Sequence, residues 1–378
     1  MITGDLGAAL ATAVAAAVAS GDLPDDGGLG ADPGLAAGTW RPVPAEAGGG
    51  PGSYATTLPF VLAHRLAVDP ARIAAALAAA LRQVPRIGQA EISDISVSGG
   101  GYLSITVTPD TLARLAIRIS QAGPGCARSQ ALEGVQVSAP RDARLAAARS
   151  WADAWQRLTA EQAGRLAEAA GAEVTWVPLP GPKETVLGEA GPGEAGPVAE
   201  AVAYAGEDSV RFALSRLATS PASGPPRPHG PGLDPRAMAA QHLGNPAYAV
   251  RYAHAHAASA LRQAADLGLP EPDAERFQPD LLAHPSEQVL LDAMSWLPER
   301  VAGAARRRQP HVVAAYLEDL AGQYLGWQEA CPVMGPGSVP LRPPGGELTQ
   351  ARLQLASAAR TALGTGLRLL GIAAPGRM

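Results

Sequence analysis

The sequence predicts three unlike parts: an α+β N-terminal domain over 1–122, a short α/β stretch over 123–206, and an all-α helical bundle over 207–378. Three observations carry that reading. Helix-like and strand-like patterns alternate up to about residue 122. Two short strand-like runs bracket one helical stretch in the middle. From 207 onward helical periodicity continues almost to the C-terminus.

The first part opens with an Ala/Val-rich helix over 6–20 and a Gly/Pro/Asp-rich loop over 21–52. Asp69-Pro70 starts a helix through Arg82, with Ile73, Leu77 and Leu81 at i, i+4 and i+8. Strand-like runs at 90–97 and 102–108 flank Gly99-Gly100-Gly101, which reads as a hairpin. Thr108-Pro109-Asp110 then starts a helix over 110–119. In the middle part a strand at 134–138 precedes a helical stretch at 141–170 and a second strand at 173–178. Residues 179–198 are nearly all Pro, Gly and Glu and read as a loop or linker. In the last part Asn245-Pro246 is an N-cap followed by proline at the first helical position, and that helix runs to Leu267 with Gly268 as its stop. Further helices fit 286–308, 311–330 and 347–370.

Composition removes several chemistries. Of 378 residues, 47% are hydrophobic and only 4% aromatic, so small aliphatic side chains must fill the cores. Lys183 is the only lysine among 30 basic residues, and it sits in GPKET, without the glycine-rich loop and Ser/Thr of a P-loop. Schiff-base or pyridoxal chemistry has only that residue to use. Cys126 and Cys331 are far apart and form neither a zinc motif nor a disulfide framework, which points to a reducing compartment. The acidic start Met1-Ile2-Thr3-Gly4-Asp5 lacks the charged region of a signal peptide, and no apolar run is expected to span a bilayer. The expectation is a cytoplasmic protein with no cofactor, no metal and no membrane partner.

Net charge is −5, unevenly spread: residues 1–208 carry 14 basic and 22 acidic side chains, residues 209–378 carry 16 and 13. The second half therefore permits an anionic partner. The run Arg300, Arg306, Arg307, Arg308 and His311 reads as a solvated helix end. Gly191-Pro192-Gly193-Glu194-Ala195-Gly196 matches G-x-G-x-x-G, but Pro192, Glu194 and Pro197 argue against a dinucleotide site. His254 and His256 lie roughly 200° apart on a helix, so they do not share a metal, and surface or capping roles are expected. Glu207-Asp208 reads as a pair of helix N-terminal charges.

The most informative stretch is 245–262, NPAYAVRYAHAHAASALR. On a helix Val250, Ala253, Ala257 and Leu261 form a buried stripe, and Tyr248, Tyr252, His256 and Ser259 form an adjacent aromatic and polar one, with Arg251 and Arg262 nearby. One reading is a packed helix whose tyrosines close the core edge. The other is a surface on which bases stack while arginines hold phosphates.

This stretch resembles the helix that opens the anticodon-binding domain of arginyl-tRNA synthetases, whose pattern runs roughly NPVYYVQYAHAR. Asp208-Ser209-Val210-Arg211-Phe212 resembles the D-A-x-R-[FY] signature of the DALR domain. Tyr316-Leu317-Glu318-Asp319-Leu320-Ala321-Gly322, Cys331-Pro332 and Gly366-Leu367 through Ile372 and Arg377-Met378 resemble the family's late helix and ending. The resemblance implies a DALR-type bundle over 207–378. It also implies an anticodon pocket at Ala249, Tyr252, His256, Gln328 and Met378, of which Ala249, His256 and Gln328 depart from the family's residues. Recognition of arginine anticodons in particular is therefore not expected to carry over, and Arg251 in place of the family's Gln adds a cation. Gly52-Ser53-Tyr54-Ala55-Thr56 and Gly101-Tyr102-Leu103-Ser104-Ile105 resemble the family's first domain, which contacts the tRNA elbow. That match offers Tyr102 and Ser104 as contacts, with Ser104 and Ile105 replacing the Asn and Phe of the pattern.

Between these ends the resemblance gives residues 123–206 as a degenerate remnant of the catalytic domain. Val135 to Pro140 resembles the strand before the HIGH motif and Val174 to Pro180 the strand before the KMSKS loop. No H-x-G-H string accompanies the first, and Lys183-Glu184-Thr185-Val186-Leu187 carries no KMSK. Both motifs hold ATP phosphates and the charge of adenylate formation. The expectation is a non-catalytic arginyl-tRNA synthetase paralogue that binds tRNA or another structured RNA through Tyr248, Arg251, Tyr252, His256, Arg262, Gln328 and Met378, in a regulatory or accessory role. No DNA partner is expected. The alternatives are a protein-interaction module that lost RNA binding and a residual ATP-dependent arginine–tRNA ligase.

Overall fold

The computed structural model describes residues 2–25, 36, 38–83, 86–87, 90–178, 196–218, 233–333 and 346–378. Lys183 and most of the G-x-G-x-x-G string fall outside them.

Helix α1 (Ile2–Ala19) begins four residues earlier than its pattern suggests, with Ile2, Leu6, Leu10, Val14 and Ala17 on its buried side. By length and composition it is apolar enough to cross a membrane, against the expectation that no such run occurs. In the fold that apolar side packs on α3 (Pro70–Arg82). The supposed loop at 21–52 contains β1 (Trp40–Pro42), which pairs antiparallel with β2 (Ser53–Thr56). Both strands are too short for an alternation pattern, as is the unforeseen α2 (Leu58–Leu66), whose Leu58 and Leu62 point inward.

The sheet is antiparallel with order β1-β2-β5-β4-β3, where β3 is Arg86–Ile87, β4 is Ala90–Ser98 and β5 is Tyr102–Val107. The Gly99–Gly101 turn is the predicted hairpin. Gly101 has φ 136°, and a Cβ there would lie 2.7 Å from the Pro70 Cβ and 2.9 Å from its carbonyl carbon. Only glycine tolerates both demands. Helix α4 (Pro109–Ala122) follows, capped by the Thr108 hydroxyl accepting from the Thr111 amide.

The middle part holds β6 (Gln136–Pro140) and β7 (Glu173–Val177) as a parallel pair, with α5 (Trp151–Ala169) as the crossover. The predicted helix over 141–170 begins only after Ser150, which caps α5. A small second core joins Trp151 and Leu158 of α5 to helices α6 (Pro197–Ala205), α7 (Glu207–Ser215) and α8 (Pro235–Ala239) through Val198, Val210, Leu214 and Met238.

The bundle contains α9 (Pro246–Asp266), α10 (Pro285–Ser295), α11 (Leu297–Arg307), α12 (His311–Ala330) and α13 (Glu347–Leu369). The single helix expected at 286–308 is two helices broken at Trp296. Pro298 has no amide hydrogen to donate and disfavours helical geometry at Leu297, so the chain restarts there. α9 obeys its cap signal: the Asn245 side chain accepts from the Ala247 amide and donates to the carbonyls of Met238 and Ala240.

The sheet-bearing part and the bundle share one core, from Ile2 to Ile372. Polar ties reinforce the contact. The buried Tyr54 hydroxyl donates to Ser295 Oγ at 2.8 Å, the Gly52 amide donates to Asp292, and Gln354 Nε2 donates to the Ala116 carbonyl and Ser120 Oγ.

Candidate nucleic-acid interface

At 100° per residue, Tyr248, Ser259, Tyr252 and His256 fall within an arc of roughly 80° on α9. The opposite face, with Val250, Ala253 and Ala257, is buried. The three rings form a row. Tyr248 and Tyr252 are nearly parallel, with centroids 5.8 Å apart and planes at 14°, and Tyr252 and His256 follow at 5.9 Å. The row continues onto α12, where Tyr324 meets His256 edge-on at 5.9 Å and Trp327 lies 5.7 Å beyond. His256 Nδ1 and the Tyr324 hydroxyl are hydrogen-bonded at 3.0 Å, which fixes the imidazole plane. Tyr324 and Trp327 were not legible as members of this row because they are contributed by a helix about 70 residues away. Their i, i+3 spacing was the available signal.

Burial holds His256 below its ordinary pKa, so at neutral pH it is an uncharged ring. Burial, then the neighbouring Tyr252, push the Tyr324 hydroxyl well above the usual phenol range, so it stays a hydrogen-bond donor. Gln328 follows one turn after Tyr324, and its Nε2 is buried with no hydrogen-bond partner among the described residues.

The arginines are less free than the sequence suggests. Arg251 pairs with Asp208 at 3.3 Å, and its Nε is buried and unpartnered. Asp208 also accepts from the Ala373 amide, so Glu207-Asp208 is more than a pair of helix charges. Arg262 donates to the Gly376 carbonyl at 2.7 Å, which holds the irregular C-terminal segment beside α9 and leaves Met378 exposed two residues on. His254 is not on the surface. It is buried, donates or accepts through Nδ1 at the Pro375 carbonyl, and has its pKa lowered by burial, with Arg360 and Arg368 adding to that direction. Of the cluster at 300–311, Arg307 bonds Gln309, and Arg308 ends α11 in a left-handed conformation.

Tyr102 and Ser104 share the outward side of β5, away from buried Leu103 and Ile105, and Tyr102 packs edge-on against Phe60 at 4.8 Å. Among the described contacts nothing joins them to the α9 face. The Asp208–Phe212 segment has a structural part: Phe212 is fully buried, and buried Arg211 pairs with Glu161 at 3.3 Å and Glu207 at 2.9 Å, fastening α7 to α5. Gly371 beside it has φ 71°, a conformation that favours glycine, and a Cβ there would stand 2.8 Å from the Arg211 guanidinium.

Residues 250–378 match the DALR anticodon binding domain. That match contains Arg251, Tyr252, His256, Arg262, Gln328 and Met378, and begins just after Tyr248. The chain is also 37% identical over 177 residues to the arginine–tRNA ligase of Paenarthrobacter aurescens (strain TC1), a match covering 47% of this chain and 30% of that protein. It is 40% identical over 173 residues to the arginine–tRNA ligase of Frankia alni, covering 46% and 29%. The matched stretch thus spans under a third of the curated relatives' length. The arginyl-tRNA synthetase of Thermus thermophilus aligns with a TM-score of 0.33 and 20% identity, covering 85% of this chain and 59% of that one.

Proposed function

We propose that this chain is a non-catalytic, arginyl-tRNA synthetase-like protein that binds tRNA or another structured RNA on the exposed face of α9, in an accessory or regulatory role in the cytoplasm. The observation that supports this most is the Tyr248–Tyr252–His256 row, within or bordering the DALR-matched residues and flanked by arginines. The nearly parallel, half-buried rings of Tyr248 and Tyr252 at the helix surface offer faces on which unpaired bases stack. The non-catalytic part rests on the sequence: no H-x-G-H or KMSK string is present to hold ATP. Ultraviolet crosslinking of the full chain to tRNA, with peptide mapping, is expected to label α9 peptides, and ATP–pyrophosphate exchange with arginine is expected to stay at background. Crosslinks elsewhere or measurable exchange contradict the respective half.

The second reading, a protein-interaction module without RNA binding, is favoured by one contact: Asp208 neutralises Arg251. Affinity capture that yields protein partners and no RNA would support it over the first.

A further inference from the structure

Beyond the ring row, α9 meets α13 and the C-terminal residues along an open cleft of about 730 Å³. Arg262, Arg360, Arg368 and His254 line it, and among the described residues no carboxylate does. Arg360 and Arg368 lie two turns apart on one face of α13, with Gly364 between them. A Cβ at Gly364 would stand 3.0 Å from His254 Nε2 and 3.6 Å from an Arg368 Nη, so its absence lets α9 and these cations converge. Arg360 and Arg368 are exposed and have no ion-pair partner among the described residues; Arg368 donates only to the Thr365 hydroxyl. Arg262 spends one Nη on the Gly376 carbonyl. Elsewhere in the bundle Arg216, Arg251 and Arg352 each face an acid. Three guanidiniums converging without a counter-charge, each with donors to spare, suit a phosphate group, whose oxygens accept several charge-assisted hydrogen bonds at once.

We propose that this cleft is a phosphate-binding site and, resting on the RNA-binding reading above, that it holds the backbone phosphates of the RNA whose bases stack on Tyr248 and Tyr252. Arg262 lines the cleft from α9, the same helix that carries the ring row, six residues beyond His256. The positions at 360 and 368 carry no signal in the opening-helix pattern, and only the packing of α13 on α9 brings them beside Arg262.

The test uses the full chain and inorganic phosphate as probe, followed by calorimetry. Wild-type protein is expected to bind phosphate saturably, and Arg360→Gln with Arg368→Gln to weaken it roughly tenfold or more. Arg360→Gln alone, at an exposed position, guards against a folding artefact and is expected to give a smaller loss in the same direction. Absence of saturable phosphate binding, or equal binding by the double variant, overturns the site. With tRNA, the double variant is expected to lose affinity and to shed about 0.7 of salt slope per phosphate contact. Loss of phosphate binding with unchanged tRNA affinity and slope overturns the backbone role and leaves a site for a free oxyanion. Phosphate binding that depends on Arg360 and Arg368 in a chain that binds no RNA supports the site while refuting the RNA-binding reading.

Discussion

Replacing Tyr252 by alanine removes the middle ring of the row. Its neighbours lie 5.8 and 5.9 Å away, so the variant cuts Tyr248 off from His256, which keeps its contact with Tyr324. Base–aromatic stacking contributes about 1–3 kcal/mol per base, which corresponds to a loss of roughly 5- to 150-fold in RNA affinity. Tyr252 is half-buried at the helix surface and its hydroxyl makes no hydrogen bond among the described residues, so the fold is expected to survive. Fluorescence anisotropy of labelled tRNA at several salt concentrations separates the effects. The affinity should fall while the slope of log affinity on log salt stays put, because no phosphate contact is lost. Tyr252→Phe keeps the ring and should bind like wild type. An alanine variant within twofold of wild type would refute the stacking role of this face.

Other expectations concern charge, packing and pH. Asp208→Asn frees Arg251 while keeping an acceptor for the Ala373 amide, so tRNA affinity should rise and the salt slope steepen by up to about 0.7; no change in slope would mean Arg251 does not reach phosphate. Tyr54→Phe strips a donor from fully buried Ser295 and should cost about 1–2 kcal/mol in urea unfolding, whereas an unchanged midpoint would contradict the tie between sheet and bundle. Gly101→Ala forces a side chain into the backbone of Pro70 at positive φ and should destabilise by about 1–3 kcal/mol; a neutral result would contradict the hairpin geometry. His254 and His256 prefer to be neutral when folded, because burial lowers both pKa values, while the unfolded rings titrate near about 6.5. Their contribution is full above that value and is lost as pH falls below it, at up to about 1.4 kcal/mol per pH unit for each ring. Half-buried Asp292 and Glu299, held above the usual carboxylate range by desolvation, act in the opposite sense, so the readout is the difference from His254→Gln. That variant should lose less stability on acidification than wild type, and parallel profiles would contradict a neutral buried His254.

Much of the fold was legible because long elements carry both period and cap. Pro70–Arg82 and His311–Ala330 have the bounds their patterns predict, and Asn245-Pro246 marks the start of α9. β1, β2 and α2 were hidden because three to nine residues among prolines and glycines show no period. The break at Trp296 was hidden because helical periodicity continues across Pro298. At the site, the ring row on α9 follows from spacing within one helix, so it could be read directly. The partners from other elements could not: Tyr324 against His256, Asp208 against Arg251, Pro375 against His254, and the two α13 arginines are contacts over long sequence separations. A His two residues from another His looks equivalent to it in sequence, yet one is buried against the chain's end and the other closes the ring row.

The central claim, that the α9 face and its cleft bind RNA, is tested most directly by titrating tRNA onto the full wild-type chain across salt concentrations. With at least one backbone phosphate held by Arg262, Arg360 and Arg368 together, the slope of log affinity on log salt should be about −0.7 or steeper for a single-stranded contact. Weak binding that does not change with salt would contradict the account.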